Sequence, residues 1–80
     1  MTRVKVLYFA SLRDAAGMAD EILQTQAVDL RELYATLQAR HGFTLPVERL
    51  RVAVDGAFAD WNATPAQGSE IAFIPPVSGG

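Results

Sequence analysis

The part of this sequence best suited to chemistry is its C-terminal end. That end reads Pro75-Pro76-Val77-Ser78-Gly79-Gly80. Gly79 and Gly80 have no side chains and adopt any φ, so they can pass through a narrow channel and deliver a terminal carboxylate. From Val77 to Gly80 an extended chain reaches roughly 13–14 Å at about 3.4 Å per residue. We therefore predict a folded domain over residues 1–76 and a flexible tail over residues 77–80.

The rest of the sequence offers little reactive chemistry. Cysteine is absent, which rules out disulfides, a cysteine nucleophile and cysteine metal ligands. The single histidine, His41, has no second ligand nearby in sequence, so we expect a capping or solvated role for it. Asp14, Asp20 and Glu21 are also expected to be solvated. No nucleophile–base pair stands out, and we expect neither a metal site nor a bound cofactor.

Composition excludes several classes of protein. The 80 residues carry a net charge of -2, and the seven basic residues are scattered and outnumbered by nine acids. This balance argues against a nucleic-acid binder. No apolar run approaches the roughly 18–20 residues needed to cross a bilayer, and no signal segment opens the chain. We expect a cytoplasmic protein without a membrane partner.

The first third of the chain predicts a strand, a short helical turn and a second strand. Residues 3–9 alternate in polarity, with Val4, Val6 and Tyr8 on the face assigned to the core. Ser11 is the expected cap of the helical turn and Gly17 its end. Residues 20–26 read as the second strand.

The main helix has clear start and stop signals. Asp29 is the predicted N-cap, with Glu32 completing a capping box, and Val28 and Leu33 are placed for a hydrophobic staple. Gly42 fits the left-handed position that ends a helix. The apolar stripe consists of Leu30, Leu33, Tyr34 and Leu37.

The second half predicts three more strands, over residues 51–54, 57–59 and 70–74. Asp55-Gly56 indicates a two-residue hairpin turn, because a type I′ turn needs positive φ at both central positions. Pro75 and Pro76 stop further pairing, since neither can donate to a ladder. The order of elements predicts an α+β roll with one main helix packed on a mixed sheet. The β-grasp, or ubiquitin-like, fold has this order, and in that fold the first and last strands are parallel neighbours.

Three stretches of the sequence resemble the small subunits of molybdopterin synthases. They are residues 68–80 (GSEIAFIPPVSGG), residues 5–17 with KVLYFA, LRD and Gly17, and residues 52–56 (VAVDG). A terminal Gly-Gly alone arises by chance in roughly one chain in 200, but the acidic-apolar strand, Pro-Pro and Gly-Gly together are far more specific. Many members of that family have Asn in place of Asp55 and Asp in place of Ser69, and both differences are tolerable in turns.

The resemblance implies a two-stage sulfur-transfer cycle. An E1-like activating enzyme would use ATP to adenylate the carboxylate of Gly80, and sulfur would then replace an oxygen to give a thiocarboxylate. The carrier would dock on the large subunit of molybdopterin synthase, in a heterotetramer, and donate sulfur to cyclic pyranopterin monophosphate. The chain itself would be the non-catalytic sulfur donor, with the catalytic residues on the large subunit.

An apolar surface near the base of the tail is predicted to bind both partners. Leu7 and Phe9 lie on the strand face opposite the core, Ile74 points outward from the last strand, and Phe58 follows the hairpin. The predicted partner-binding residues are Leu7, Phe9, Phe58, Ile74, Pro75 and Pro76. Burial of one or two of them under a loop stays open.

Three other interpretations also stay open. A related β-grasp carrier would serve thiamine or cysteine synthesis, although thiamine carriers are usually shorter and tend to lack the two prolines. A ubiquitin-like modifier would be joined through Gly80 to lysines and would form covalent adducts. A simple interaction domain would keep its function without Gly80, and the tail would then be a terminus with no role.

Overall fold

The computed structural model describes residues 1–76 and contains five strands and two α-helices in that range. The elements are β1 (Thr2–Tyr8), α1 (Ala10–Ala16), β2 (Asp20–Thr25), α2 (Leu30–His41), β3 (Arg51–Val54), β4 (Ala57–Ala59) and β5 (Glu70–Ile74). A 3₁₀ turn at Val47–Arg49 precedes β3. None of the helices in residues 1–76 has the length and apolar character needed to cross a membrane.

The five strands form one mixed sheet in the order β2-β1-β5-β3-β4. The central strands β1 and β5 run parallel, with Tyr8 opposite Phe73, and the other neighbours are antiparallel. The predicted α+β fold and the predicted parallel pairing of the first and last strands are therefore confirmed. This pairing places the end of β1 beside the end of β5, from which the chain continues toward the predicted tail.

The core lies between α2 and one face of the sheet. The four residues of the predicted helical stripe are all buried, as are the predicted core residues of the first strand and, on the last strand, Ile71 and Phe73. They share one cluster, which includes Val4, Val6, Tyr8, Leu30, Leu33, Tyr34, Leu37, Ile71 and Phe73. Because side chains alternate along a strand, burial of this face leaves the neighbouring residues on the opposite face of the sheet.

The predicted start and end of α2 are confirmed. The Asp29 carboxylate accepts a hydrogen bond from the Glu32 N–H at 2.8 Å, and the Glu32 carboxylate accepts one from the Val28 N–H at 3.2 Å. Gly42 ends the helix with a φ of 74°. The predicted staple buries little of Val28, which remains 66% exposed while Leu33 is fully buried.

The predicted capping role of Ser11 is wrong. Helix α1 begins at Ala10, so Ser11 lies inside it, and the cap residue Phe9 makes no side-chain capping bond. The chain leaves β1 through Ala10, whose φ of 50° is positive. With this positive φ at Ala10 and Phe9 as the cap residue, the helix begins two positions earlier than a Ser11 cap would place it. Gly17 ends the helix with a φ of 72°, as predicted.

The predicted hairpin turn is confirmed by positive φ values of 51° at Asp55 and 86° at Gly56. Asp55 also ties the turn to the neighbouring strand β5. Its carboxylate accepts a hydrogen bond from the Glu70 N–H at 2.9 Å, and its own N–H donates to the Glu70 carbonyl at 2.8 Å. The turn that joins β3 to β4 is thus fastened to β5, the strand on the other side of β3.

Candidate functional site

A row of four residues crosses the sheet on the face opposite α2. Leu7 of β1 lies opposite Ala72 of β5, Ala72 lies opposite Ala53 of β3, and Ala53 lies opposite Phe58 of β4. The two central side chains are small and the two outer ones are large. This order of sizes makes a groove with an alanine floor and apolar walls.

The groove, which we call the outer groove, has a volume of about 280 Å³. It is lined by Leu7, Phe9, Ala53, Gly56, Phe58, Glu70, Ala72 and Ile74. Four of the six predicted partner-binding residues therefore lie together in one surface feature. The two alanines of the floor were not among the predicted site residues, although strand alternation places both of them on this face.

The aromatic walls of the outer groove are open to solvent. Phe58 is 66% exposed and Phe9 is 45% exposed, while Leu7 and Ile74 are half-buried. Large exposed aromatic side chains on one continuous surface are typical of a binding site for another protein.

The two prolines at the end of β5 differ in exposure. Pro75 is buried, so its side chain is not available to a partner, whereas Pro76 is exposed. Ile74 both lines the outer groove and ends β5. The predicted tail residues Val77, Ser78, Gly79 and Gly80 lie outside the described residues. Because Ile74 is the last residue of β5, the chain leaves the sheet at the end of the groove that Ile74 lines.

A second concave surface adjoins the outer groove at the free edge of β4. This edge cleft has a volume of about 410 Å³ and is lined by Leu50, Arg51, Val52, Phe58, Ala59, Asp60 and Trp61. Phe58 lines both surfaces. The guanidinium carbon of Arg51 lies 4.6 Å from the centre of the Phe58 ring, within the range of a cation–π interaction.

A polar cluster lies on the core side of the sheet, away from the outer groove. The Tyr8 hydroxyl donates to Glu21 Oε1 at 2.5 Å, and His41 Nε2 lies 2.8 Å from the same oxygen. Arg40 Nη1 lies 3.7 Å from Glu21 Oε2. The side chains of Glu21 and His41 are 17% and 10% exposed. The expectation that Glu21 would be solvated is therefore wrong, and of the two roles expected for His41, capping or solvation, the structure does not support solvation.

This cluster shifts the pKa values of two of its members, Glu21 and Tyr8. Burial would raise the pKa of Glu21, but hydrogen bonds from Tyr8 and His41 and the nearby His41 and Arg40 charges outweigh it and hold the pKa below its usual value. Burial, together with the hydrogen bond to Glu21, raises the pKa of Tyr8 far above its usual value. Tyr8 directly precedes Phe9, so the cluster anchors the strand end that carries one wall of the groove.

No metal centre emerges among the described residues, since residues 1–76 contain no group of three or more His, Cys, Asp or Glu side chains placed to hold an ion.

Comparison with known proteins identifies relatives along the whole chain. The family model described as the ThiS family matches residues 6–80. The molybdopterin synthase sulfur carrier subunit of Mycobacterium tuberculosis is 31% identical, and the match covers 100% of both chains.

Solved structures also resemble this one. A Pyrococcus furiosus protein assigned as molybdopterin converting factor subunit 1 matches with a TM-score of 0.80 and 26% identity, over 96% of this chain and all of that chain. A chain from the Helicobacter pylori complex of molybdopterin-converting factor subunits 1 and 2 matches with a TM-score of 0.69 and 28% identity, over 99% of this chain and 100% of that chain.

Proposed function

The chain belongs to the ThiS family, and from this premise we propose that it is the sulfur-carrier subunit of molybdopterin synthase. The observation that carries the proposal is structural: the exposed apolar groove ends at Ile74, the residue from which the chain continues toward Gly80. A surface that holds a partner and a tail that reaches into that partner would thus start from the same place. The full-length similarity to a curated sulfur carrier subunit supports the same assignment.

The proposed chemistry takes place at the carboxylate of Gly80. A free carboxylate is a poor acyl donor, because it is negatively charged and its oxygen is a poor leaving group. In an activating enzyme the carboxylate attacks the α-phosphate of ATP, pyrophosphate leaves, and an acyl-adenylate forms. A persulfide on the sulfur donor then attacks the acyl carbon and displaces AMP, which gives an acyl disulfide. A thiol cleaves the S–S bond of this intermediate by exchange, which leaves a C-terminal thiocarboxylate on the chain and a disulfide between the donor and the thiol.

The thiocarboxylate is the form that delivers sulfur. The outer groove binds the large subunit, which covers Phe9 and Phe58 and guides the tail into its active site. There the sulfur passes to cyclic pyranopterin monophosphate as the dithiolene of molybdopterin is built, and the carboxylate of Gly80 is regenerated. The large subunit supplies the catalytic groups, and the assembly is a heterotetramer acting in the cytoplasm. The similar chain from Helicobacter pylori was solved in a complex of molybdopterin-converting factor subunits 1 and 2. That complex supports a large-subunit partner for this chain.

Each tail residue has a proposed part in this cycle. Gly79 and Gly80 pass through a channel too narrow for side chains, and Val77 and Ser78 span the distance from the domain. Pro75 is buried and holds the backbone before the tail against the domain. Pro76 is exposed, and its fixed φ restricts the backbone between Pro75 and the tail.

A reconstituted reaction tests the proposal. The chain, sulfurated by an activating enzyme with ATP and a sulfur source, is mixed with the large subunit and cyclic pyranopterin monophosphate, and molybdopterin is measured. We expect product in proportion to the sulfurated chain and none with a variant that lacks Gly80. A sulfurated chain that binds the large subunit yet yields no molybdopterin would contradict the proposal and favour another sulfur-accepting pathway. Covalent adducts to lysines in a lysate would instead favour a protein modifier.

A further inference from the structure

Arg51 is an exposed cation placed at the base of the tail. It is the first residue of β3 and lies opposite Ile74, the last residue of β5. Its side chain points to the outer face of the sheet, where its guanidinium packs on the ring of Phe58. Its neighbours on that face, Ile74 and Phe58, both belong to the outer groove.

The charge of Arg51 is not neutralised within the part of the chain that the structure describes. The ion pairs of residues 1–76 join Arg31 to Glu48 and Arg40 to Glu21, and His41 is hydrogen-bonded to the same glutamate. Asp60 lines the same edge cleft, but no ion pair joins it to Arg51. The opposite end of the groove carries charges of both signs, because Glu70 of β5 lies there in register with Lys5 of β1.

Stacking on Phe58 prepares the guanidinium for a specific contact. A guanidinium packed on an aromatic ring is held in place, and its N–H groups stay available for a planar acceptor such as a carboxylate. Arg–carboxylate pairs of this kind form two parallel hydrogen bonds, which fix orientation as well as adding binding energy. A lysine at the same position would supply charge without this geometry.

We propose that Arg51, stacked on Phe58, binds an aspartate or glutamate side chain on the large subunit and so sets the orientation in which the tail enters its channel. The inference rests on the proposed function, because it names a specific contact within the same docking surface. Charge complementarity then operates at the tail end of the groove, while the apolar walls supply most of the affinity. A cation at this position steers association and selects the partner.

Binding titrations with matched charge variants test this role. The full chain, Arg51→Glu, Arg51→Gln and Arg51→Lys are each titrated calorimetrically with the large subunit of molybdopterin synthase from the same organism, at low and high salt. Arg49→Glu is the control, because Arg49 is also exposed and lies two residues away but lines neither the groove nor the cleft. Circular dichroism checks that each variant is folded.

We expect Arg51→Glu to raise Kd about tenfold or more at low salt and Arg49→Glu to change it less than about twofold. Arg51→Gln and Arg51→Lys should fall between these limits, and the affinity of Arg51→Gln should depend less on salt than that of the unmodified chain. Replacing the facing acid of the large subunit with lysine should restore binding of Arg51→Glu.

Two results would overturn the inference while leaving the proposed function intact. One is an Arg51→Glu variant that binds within about twofold of the unmodified chain at low salt. The other is a loss of affinity that no acid-to-lysine substitution on the large subunit reverses. Failure of the unmodified chain to bind the large subunit is a different outcome, and it would refute the proposed function together with this contact.

Discussion

Replacing Phe58 with alanine should weaken docking strongly while changing the fold little. Phe58 is 66% exposed in the chain alone, so a partner that covers it would bury about two-thirds of a phenylalanine surface of about 200 Å², or about 130 Å². At about 25 cal/mol per Å² this burial contributes about 3 kcal/mol. Since every 1.4 kcal/mol is about a factor of ten, Phe58→Ala should raise Kd roughly 100-fold.

The same arithmetic predicts an order of effects within the groove. Phe9 is 45% exposed, which leaves about 90 Å² for a partner to cover and about 2 kcal/mol of binding free energy. Phe9→Ala should therefore raise Kd about 30–50-fold, less than Phe58→Ala. The ranking follows from how much of each ring the domain already covers.

Calorimetric titration with the large subunit measures both effects. Val28→Ala is a suitable control, because Val28 is also 66% exposed but lies beside α2 and outside the groove. We expect the control to bind within about twofold of the unmodified chain, and Phe58→Ala to lose less than about 1 kcal/mol of stability. A folded Phe58→Ala variant that binds within about threefold of the unmodified chain would refute the burial argument and the assignment of the outer groove as the docking surface.

Three further predictions concern the framework that holds the groove, and chemical denaturation measures each of them. Asp29→Ala should cost about 1 kcal/mol of unfolding free energy, because the Glu32 N–H loses its capping acceptor; an unchanged value would contradict the cap. Ala10→Gly should raise stability by up to about 1 kcal/mol by relieving the positive φ, and a destabilised variant would show that Ala10 is unstrained. Because the pKa of Glu21 is held below its ordinary value in the folded chain, its contribution is present above the unfolded-state pKa of about 4.3 and is lost as pH falls through the folded-state pKa. Glu21→Gln should therefore flatten the dependence of stability on pH in that acid range, and a slope equal to that of the unmodified chain would refute the role of the cluster.

Local patterns were sufficient to predict the elements of this fold. The alternation of Val4, Val6 and Tyr8 identifies the buried face of β1, and the turn at Asp55-Gly56 identifies the β3–β4 hairpin. Each of these signals depends on residues close together in sequence. The parallel pairing of β1 and β5 came instead from the resemblance to a known fold, because no local pattern specifies which distant strands meet.

The outer groove could be predicted only in part, because its walls follow mainly from local patterns while its floor depends on the register of distant strands. Phe9 and Ile74 were expected on one surface from strand alternation together with the pairing of β1 and β5, and Phe58 from its place just after the hairpin. The structure brings all three together. The floor of Ala53 and Ala72 depends on the register between β3 and β5, which the sequence alone does not give. Burial of Pro75 likewise depends on how the chain leaves the sheet.

The features that were predicted wrongly depend on tertiary contacts. Glu21 and His41 lie 20 residues apart and meet only because β2 and the end of α2 pack side by side. Read singly, a glutamate on an edge strand and a histidine at a helix end are typical solvated residues. The start of α1 at Ala10 depends on a positive φ, which the residue type alanine does not signal.

The central claim is that this chain carries sulfur on Gly80, and the intact mass of the protein tests it most directly. The chain would be purified from its native host under sulfur-replete conditions, and its intact mass would be measured by mass spectrometry beside that of a variant that lacks Gly80. We predict a fraction heavier by the difference between one sulfur and one oxygen atom, absent from the variant. An unmodified mass in every fraction would contradict the claim and leave the outer groove as the surface of an interaction domain.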